Sequence, residues 1–151
     1  MVLENQSLYF ENVLSYRTRV MSGELFSLLR HVYDSVGEMK LTVTDDIILS
    51  VYETAPAGGN TILGVELMIP VEKPFESNCR YVFKPYFRLE NALLISCCGR
   101  INRLSEARRT LHSYALDNNY PVLTRVYYVI RQFSEDYIAA NAYLGVNGNM
   151  L

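Results

Sequence analysis

The spacing of apolar residues changes several times along the chain, and each spacing predicts a different element. Residues 13–20, VLSYRTRV, predict a β-strand. In the next segment, apolar residues recur three and four positions apart, which is the spacing of one face of an α-helix. The apolar residues of this face are Leu25, Leu28, Leu29, Val32 and Val36. Ser22 suits the N-cap of this helix, and Gly37 suits its end because glycine tolerates the left-handed conformation found there.

A β-hairpin is predicted after this helix. Residues 47–53 and 62–71 have the length and composition of strands, and the sequence APAGGN at residues 55–60 is rich in turn-forming residues. Strand, helix and hairpin together make one β-α-β-β unit. A proline-containing segment, residues 71–85, follows and predicts a connection.

The same order of elements recurs in the second half of the chain. The recurring elements are a strand at residues 92–98, a helix at residues 104–116 that ends at NNYP (118–121), and strands at residues 122–130 and 137–146. A shift of 75 residues lays the first series on the second, with Leu29 on Leu104. We therefore predict a single domain spanning residues 1–151, with pseudo-repeats at about residues 8–75 and 81–148.

Two amphipathic helices need a sheet face against which to bury their apolar sides. The predicted fold class is α+β, in which the duplicated β-α-β-β units form one antiparallel sheet with two helices on one face and a concave opposite face. In the strand at residues 62–71, one face consists of Leu63, Val65, Leu67, Ile69 and Val71. This apolar face is expected to pack against the helices.

Glu66 lies in the middle of the apolar run GVELMIPV. A charge inside a packed core is costly unless it is paired or protonated. Strand alternation instead places Glu66 on the sheet face away from the helices, where Ser50 joins it if neighbouring strands keep the same parity. A β-bulge at Glu66 would overturn this placement. The candidate ligand-binding residues on this face are Tyr52, Glu66, Met68, Arg125, Tyr127, Asn141 and Tyr143.

Three interpretations of this face stay open. Aromatic and apolar residues with one carboxylate and one guanidinium suit a small-molecule pocket. The same face could instead be solvated or form a homodimer interface, with Glu66 and Arg125 as an ordinary ion pair.

Composition narrows the function further. A chain of 151 residues and 17.3 kDa is the usual size of one domain with a core. The net charge of −2, without a run of basic residues, disfavours direct nucleic-acid binding. The N-terminus lacks the basic segment of a signal peptide, and no apolar stretch approaches the roughly 20 residues that span a bilayer. These features predict a cytoplasmic protein with no membrane association.

The residues that most often bind metals or react covalently are few. The chain has three cysteines, Cys79, Cys97 and Cys98. Because an odd number cannot all pair, we predict small buried thiols rather than disulfides. His31 and His112 lie on helical segments without a ligand-spaced partner, so no metal site is predicted. No cofactor is implied, and no residue is predicted to be catalytic.

Three features together resemble one known family. They are the duplicated β-α-β-β unit, the strand GVELMIPV, and the pattern G-x-x-x-x-L-x-x-A-x-x-x-L of residues 99–111. These features resemble the GyrI-like domain, a small-molecule-binding module of two SHS2-type units that also occurs at the C-terminus of bacterial multidrug-sensing regulators. The resemblance implies an aromatic-lined cavity, often with a buried acidic residue that attracts cationic drugs.

Individual positions both match this family and depart from it. Glu66 matches the glutamate of the family's vEv-x-hPV strand, and Tyr127 matches the tyrosine of its later rEhY strand. Arg125 and Gly145 stand where glutamate and proline are usual. An arginine facing Glu66 would weaken the attraction for cations, so an amphipathic or weakly anionic ligand is equally consistent. No helix-turn-helix segment precedes residue 8, so a stand-alone bacterial module is expected rather than a complete DNA-binding regulator.

Three functions follow from these observations. The first is binding or sensing of a small aromatic or amphipathic ligand. The second is docking on a bacterial protein partner through an exposed aromatic patch. The third is hydrolysis, with Glu66 as general base and Tyr127 or Tyr143 as acid. We expect non-catalytic ligand binding, because neither histidine falls on the face of Glu66 and no nucleophile–base pair is evident.

Overall fold

Six antiparallel strands and two α-helices give the chain the predicted α+β fold. The structure is a computed structural model that describes residues 1–147. Its elements are β1 (Leu3–Met21), a 3-10 turn (Ser22–Glu24), α1 (Leu25–Glu38), β2 (Ile47–Ala57), β3 (Asn60–Pro70), β4 (Val82–Gly99), α2 (Asn102–Asp117), β5 (Val122–Phe133) and β6 (Ile138–Val146).

Contacts between residues divide the chain into two units, each of which contains one helix. The first unit, Phe10–Phe87, contains α1 and has β3 between β1 and β2. The second unit, Met1–Tyr9 together with the chain from Arg88 onward, contains α2 and has β6 between β4 and β5. In both units the last strand of a β-α-β-β series therefore lies between the other two.

The core of the first unit contains the buried residues of α1 and of the central strand β3. The residues that α1 buries are Leu25, Leu29, Val32 and Val36. Every residue from 64 to 71 is buried, so β3 is covered on both faces. The hairpin turns at Gly58 and Gly59, whose φ angles of 56° and 86° suit the two-residue turns that favour glycine. The turn predicted at residues 55–60 is confirmed.

The core of the second unit has the same organisation. The residues that α2 buries are Leu104, Ala107, Leu111 and Ala115. They lie over β5 and β6, whose alternate residues Ile138, Ala140, Ala142, Leu144 and Val146 are buried. Tyr128 on β5 is also buried and donates a hydrogen bond to the carbonyl oxygen of Leu104 at 3.0 Å. This bond ties the start of α2 to the sheet.

The two units share their strand registers, but no single shift relates them. Val13 pairs with Pro70 in the first unit, and Ala92 pairs with Gly145 in the second. Val13 and Ala92 are 79 residues apart in sequence, whereas Pro70 and Gly145 are 75 residues apart. The other two ladders repeat this difference. The 75-residue shift therefore holds for β3 and β6 only. For the helices it is wrong by four residues, which is close to one helical turn.

The end of α1 differs from the sequence prediction, whereas the end of α2 agrees with it. Gly37 lies inside α1, and the left-handed residue is Lys40, with φ of 61°. Lys40 N donates to Gly37 O and Leu41 N donates to Val36 O, which is a Schellman motif. The helix α2 ends in the same motif at Asn119, as NNYP predicted. A 3-10 turn separates Ser22 from the start of α1, so the predicted N-cap is wrong.

Strands β1 and β4 are longer than predicted. They begin at Leu3 and Val82, whereas the sequence predicted starts at residues 13 and 92. Asn12 and Asn91 interrupt them with φ angles of 53° and 52°. Asparagine tolerates the left-handed conformation, so the backbone bends locally without ending the strand. The same residue type is a turn signal in sequence, which explains the short predictions.

Replacing Gly37 by alanine tests the observed end of α1. A Cβ added at Gly37 meets nothing within 4 Å, and alanine is the better helix former. We expect Gly37→Ala to raise the free energy of unfolding by about 0.5–1 kcal/mol, measured by urea denaturation. Gly59→Ala is the matched control, and it should lower stability because its φ is 86°. Destabilisation by Gly37→Ala would indicate that the helix ends at Gly37.

Candidate functional site

A buried carboxylate lies at the centre of the first unit. Glu66 on β3 pairs with Arg17 on β1 and Ser50 on β2, so the three side chains share one face. Only 2% of Glu66 is exposed. Its Oε2 accepts hydrogen bonds from Ser15 Oγ at 2.7 Å and Lys84 Nζ at 2.9 Å, and its Oε1 accepts one from Arg17 Nη2 at 3.4 Å. These donors offset the cost of burying the charge.

The same contacts determine the protonation state of Glu66. Burial acts to raise the pKa of its carboxyl group. Hydrogen bonds from Lys84 and Ser15, together with the charges of Lys84 and Arg17, outweigh burial and lower the pKa from 4.5 to about 2. Glu66 is therefore an ionised carboxylate at neutral pH.

Tyr52 lies on this face two residues after Ser50, and a β-bulge beside it brings Glu53 opposite Gly64. The register shifts between Val51 and Glu53, which leaves Tyr52 as the extra residue of β2. A Cβ on Gly64 would lie 2.7 Å from Tyr52 Cε2, so the tyrosine ring covers the space that glycine leaves open. Arg17 Cζ lies 5.4 Å from the centroid of this ring, within the range of a cation–π contact. The bulge falls in β2 and leaves the direction of Glu66 unchanged.

Ser50 adds a buried hydroxyl beside Glu66. It is fully buried, and its Oγ has no hydrogen-bond partner among residues 1–147. Met68, also buried, pairs with Ser15 and Ile48 and so lies on the same face. A buried hydroxyl without a partner costs about 1–3 kcal/mol. A bound ligand that supplied the missing hydrogen bond would remove this cost.

Two further charged residues complete this face. Arg19 on β1 pairs with Gly64 in the ladder, and its Nη2 lies 3.1 Å from Glu53 Oε1. Both side chains are largely exposed, in contrast to Glu66. We call the whole set the polar surface, and its members are Ser15, Arg17, Arg19, Ser50, Tyr52, Glu53, Glu66, Met68 and Lys84.

The second unit carries an equivalent surface with different chemistry. Tyr127 pairs with Tyr143, and Asn141 pairs with Ser96, whose Oγ donates to Asn141 Oδ1 at 2.8 Å. By register, Asn141 stands at the position of Glu66. Burial raises the pKa of Tyr143, although Arg131 opposes the shift, so this hydroxyl stays protonated at neutral pH. We call Arg125, Tyr127, Asn141 and Tyr143 the tyrosine surface.

Arg125 lies in an irregular stretch of β5. The β5–β6 register shifts between Val122 and Val126, and Arg125 lies within this shift. Next to it, Thr124 Oγ1 accepts a hydrogen bond from Gly145 N at 2.9 Å. A Cβ on Gly145 would lie 2.8 Å from Thr124 Cγ2. Thr124 leaves no room for a side chain at residue 145, and it accepts a hydrogen bond from the N–H of Gly145. The proline of the resembled family, which has a ring and no N–H, would therefore not fit here.

Residue spacing predicted Arg125 as the cation beside Glu66, and it did not predict two cations that contact Glu66 within the first unit. These are Arg17 and Lys84, whose Nη2 and Nζ lie 3.4 Å and 2.9 Å from the carboxylate. The pairing of Arg125 with Glu66 stays a prediction. The alternation of Ser15, Arg17 and Arg19 in SYRTR was a usable signal for one polar face of β1. Lys84 gave no such signal, because it lies in the proline-containing segment predicted as a connection.

The cysteines and histidines do not form a second site. The prediction of small buried thiols is wrong, since Cys79 and Cys98 are exposed and Cys97 is only partly buried, and all three are free. Within residues 1–147, no three histidine, cysteine, aspartate or glutamate side chains converge as a metal site. His31 Nε2 instead lies 3.3 Å from Arg80 Nη2. None of the helices in the described part of the chain has the length and apolar character needed to cross a bilayer.

Comparisons with known proteins identify the fold. No protein-family model matches the chain, and no curated protein matches it in sequence. The crystal structure of the EcmrR C-terminal domain is similar, with a TM-score of 0.68, 14% identity and coverage of 95% of this chain and 98% of that domain. EcmrR in a cryo-EM structure of its DNA complex gives a TM-score of 0.70 and 13% identity over 97% of this chain. The chain spans 57% of the EcmrR chain in that complex.

A crystal structure of a hydrolase from Listeria innocua is also similar. It has a TM-score of 0.52 and 8% identity, and the match covers 95% of this chain and 92% of that one. At these identities the likeness concerns the fold. The residues of the site must therefore be interpreted from their own chemistry.

Replacing Glu66 by glutamine tests the stabilising role of its charge. Lys84 and Arg17 would lose their counter-ion, but both side chains reach solvent and can be hydrated. We therefore expect Glu66→Gln to cost about 2 kcal/mol at pH 7, less than the loss of a partner in a fully buried pair.

The pH dependence has a defined sign. The pKa of Glu66 is lower in the folded chain, about 2, than its ordinary value of 4.5, so its stabilisation is present above pH 4.5 and is lost as pH falls toward 2. Urea denaturation of both proteins between pH 7 and pH 2 measures this. The stability difference between wild type and Glu66→Gln should shrink below pH 4.5. A difference that is independent of pH would contradict the ionised state.

Proposed function

We propose that this chain is a GyrI-like domain that binds a small aromatic molecule at its polar surface. The observation that carries the proposal is the buried, ionised Glu66 beside the buried Ser50 hydroxyl, which has no partner in the described chain. A ligand that supplied a hydrogen bond to Ser50 would remove the cost of that unsatisfied group. Ligand sites combine fixed polar groups with apolar or aromatic area, and Tyr52 supplies exposed aromatic area at this surface.

Aromatic character in the ligand is supported by Tyr52. Its ring is positioned by Gly64 and by the Arg17 guanidinium, and 36% of the residue is exposed. A planar ligand could therefore pack against this ring without a rearrangement of β2. The tyrosine surface gives the second unit an aromatic pair, Tyr127 and Tyr143. We propose that its four residues, which also include Asn141 and Arg125, bind ligand as well.

The fold supports the proposal at a general level. The EcmrR C-terminal domain shares the order and packing of elements over nearly the whole chain, and the strand GVELMIPV resembles the family's conserved pattern at Glu66. Any link between this chain and DNA would have to come through a further domain or partner, since the likeness is to the C-terminal domain.

Binding is better supported than hydrolysis. A general base is most effective when its pKa lies near the working pH. The pKa of Glu66 is lowered to about 2, and its carboxylate oxygens already accept hydrogen bonds from Ser15, Lys84 and Arg17. A carboxylate in this state is a poor proton acceptor. The fold shared with the Listeria innocua protein therefore does not make Glu66 a catalytic residue.

A thermal-shift screen with neutral aromatic amides, including 2-naphthamide, tests ligand binding. A compound that binds the folded chain raises its melting temperature by mass action. At a hundredfold excess over Kd, binding raises the free energy of unfolding by about 2.7 kcal/mol. We expect a shift for wild type that is at least halved in Tyr52→Ala. Tyr33→Ala is the matched control, because Tyr33 lies on α1 and is 48% exposed. No shift with any compound, or equal shifts in all three proteins, would contradict binding at the polar surface.

A further inference from the structure

The charge balance of the polar surface identifies the class of ligand. We propose that this surface binds aromatic anions, such as aromatic carboxylates, in preference to aromatic cations. The inference rests on the proposed ligand-binding function and specifies the ligand's charge. Its basis is the arrangement of Arg17 and Lys84 around the single carboxylate of Glu66.

The cations of this surface outnumber its carboxylates. Arg17, Arg19 and Lys84 carry positive charge, and Glu53 and Glu66 carry negative charge. Arg19 and Glu53 pair with each other at 3.1 Å and largely cancel. What remains is one buried carboxylate between two cations, with a net charge of +1. An approaching anion is therefore attracted, and an approaching cation is repelled.

The two cations can contact a ligand without leaving Glu66. The Arg17 side chain is 57% exposed and that of Lys84 is 38% exposed, whereas that of Glu66 is 3% exposed. Arginine carries five N–H donors and lysine three, and each uses one of them on Glu66. The Arg17–Glu66 contact, at 3.4 Å, is longer than an optimal hydrogen bond. Arg17 is accordingly the group best able to donate hydrogen bonds to a second carboxylate.

Glu66 itself is badly placed to attract a cation. Its Oε2 accepts from Ser15 and Lys84, and its Oε1 accepts from Arg17. A cationic ligand would have to displace Lys84 or Arg17 to reach the carboxylate. It would then also lie next to the positive charge that it displaced. The acidic residue that the family resemblance associates with cationic drugs is thus already paired here with two cations of the chain itself.

The aromatic part of the ligand has a defined place. Arg17 lies over the Tyr52 ring at 5.4 Å, so its guanidinium is oriented by that ring. An aromatic carboxylate can pair its carboxylate with Arg17 and place its own ring near Tyr52.

Three probes of the same shape and different charge test this inference. They are naphthalene-2-carboxylate, 2-naphthamide and 2-naphthamidinium, which carry charges of −1, 0 and +1. Titration calorimetry of the wild-type chain at pH 7 and low salt is expected to give the lowest Kd for the carboxylate, about tenfold below that of the amidinium. Lys84→Met should weaken carboxylate binding about tenfold, since one charge-assisted contact is lost. Lys73→Met, at an exposed lysine of the connection before β4, is the matched control and should bind like wild type.

Glu66→Gln gives a test of sign. Removal of the negative charge leaves Arg17 and Lys84 available to the ligand, so this variant should bind the carboxylate several-fold more tightly than wild type. A site that selects cations would show the reverse. Tightest binding of 2-naphthamidinium, lost in Glu66→Gln, would overturn the anion preference and leave the proposed ligand binding intact. No binding of any of the three probes to any variant would overturn both.

Discussion

Burial of the Glu66 carboxylate is the constraint on which the first unit depends. β3 is covered on both faces, so a charge at its centre must be hydrogen-bonded from neighbouring elements. Ser15 and Arg17 on β1 and Lys84 on β4 provide those bonds. The ladder registers of β1 and β3 and the path of β4 are thus linked to one side chain. The Glu66 charge thus neutralises part of the positive charge that Arg17 and Lys84 bring to one sheet face.

The second unit shows what the same framework does without the charge. Asn141 occupies the ladder position of Glu66, and Ser96 occupies that of Arg17. A neutral hydrogen bond of 2.8 Å there replaces a charged network. The duplicated registers therefore support a polar surface in one unit and a tyrosine surface in the other. Side-chain chemistry has diverged while the pairing of the strands has stayed the same.

Much of the fold could be predicted from apolar spacing, and the errors have physical causes. The order and type of the main elements follow from periodicity, and so does the shared face of Glu66 and Ser50. The repeat offset was wrong by four residues because that shift preserves both the face of a helix and the parity of a strand. Asn12 and Asn91 hid the length of β1 and β4, since a left-handed asparagine can bend a strand as well as end it. Arg17 and Lys84 were missed because proximity to Glu66 depends on strand pairing, which spacing alone does not encode.

The central claim is that Glu66 is ionised and held by two cations in the folded chain. The most direct test is a carbon-13 NMR titration of the side-chain carboxyl groups, with Glu66 assigned by comparison with Glu66→Gln. The account predicts that the Glu66 signal stays at the ionised position as pH is lowered and shifts only near pH 2, where its pKa lies. A pKa at or above the ordinary glutamate value of 4.5 would contradict the account, because Ser15, Arg17 and Lys84 would then fail to outweigh the effect of burial on the pKa.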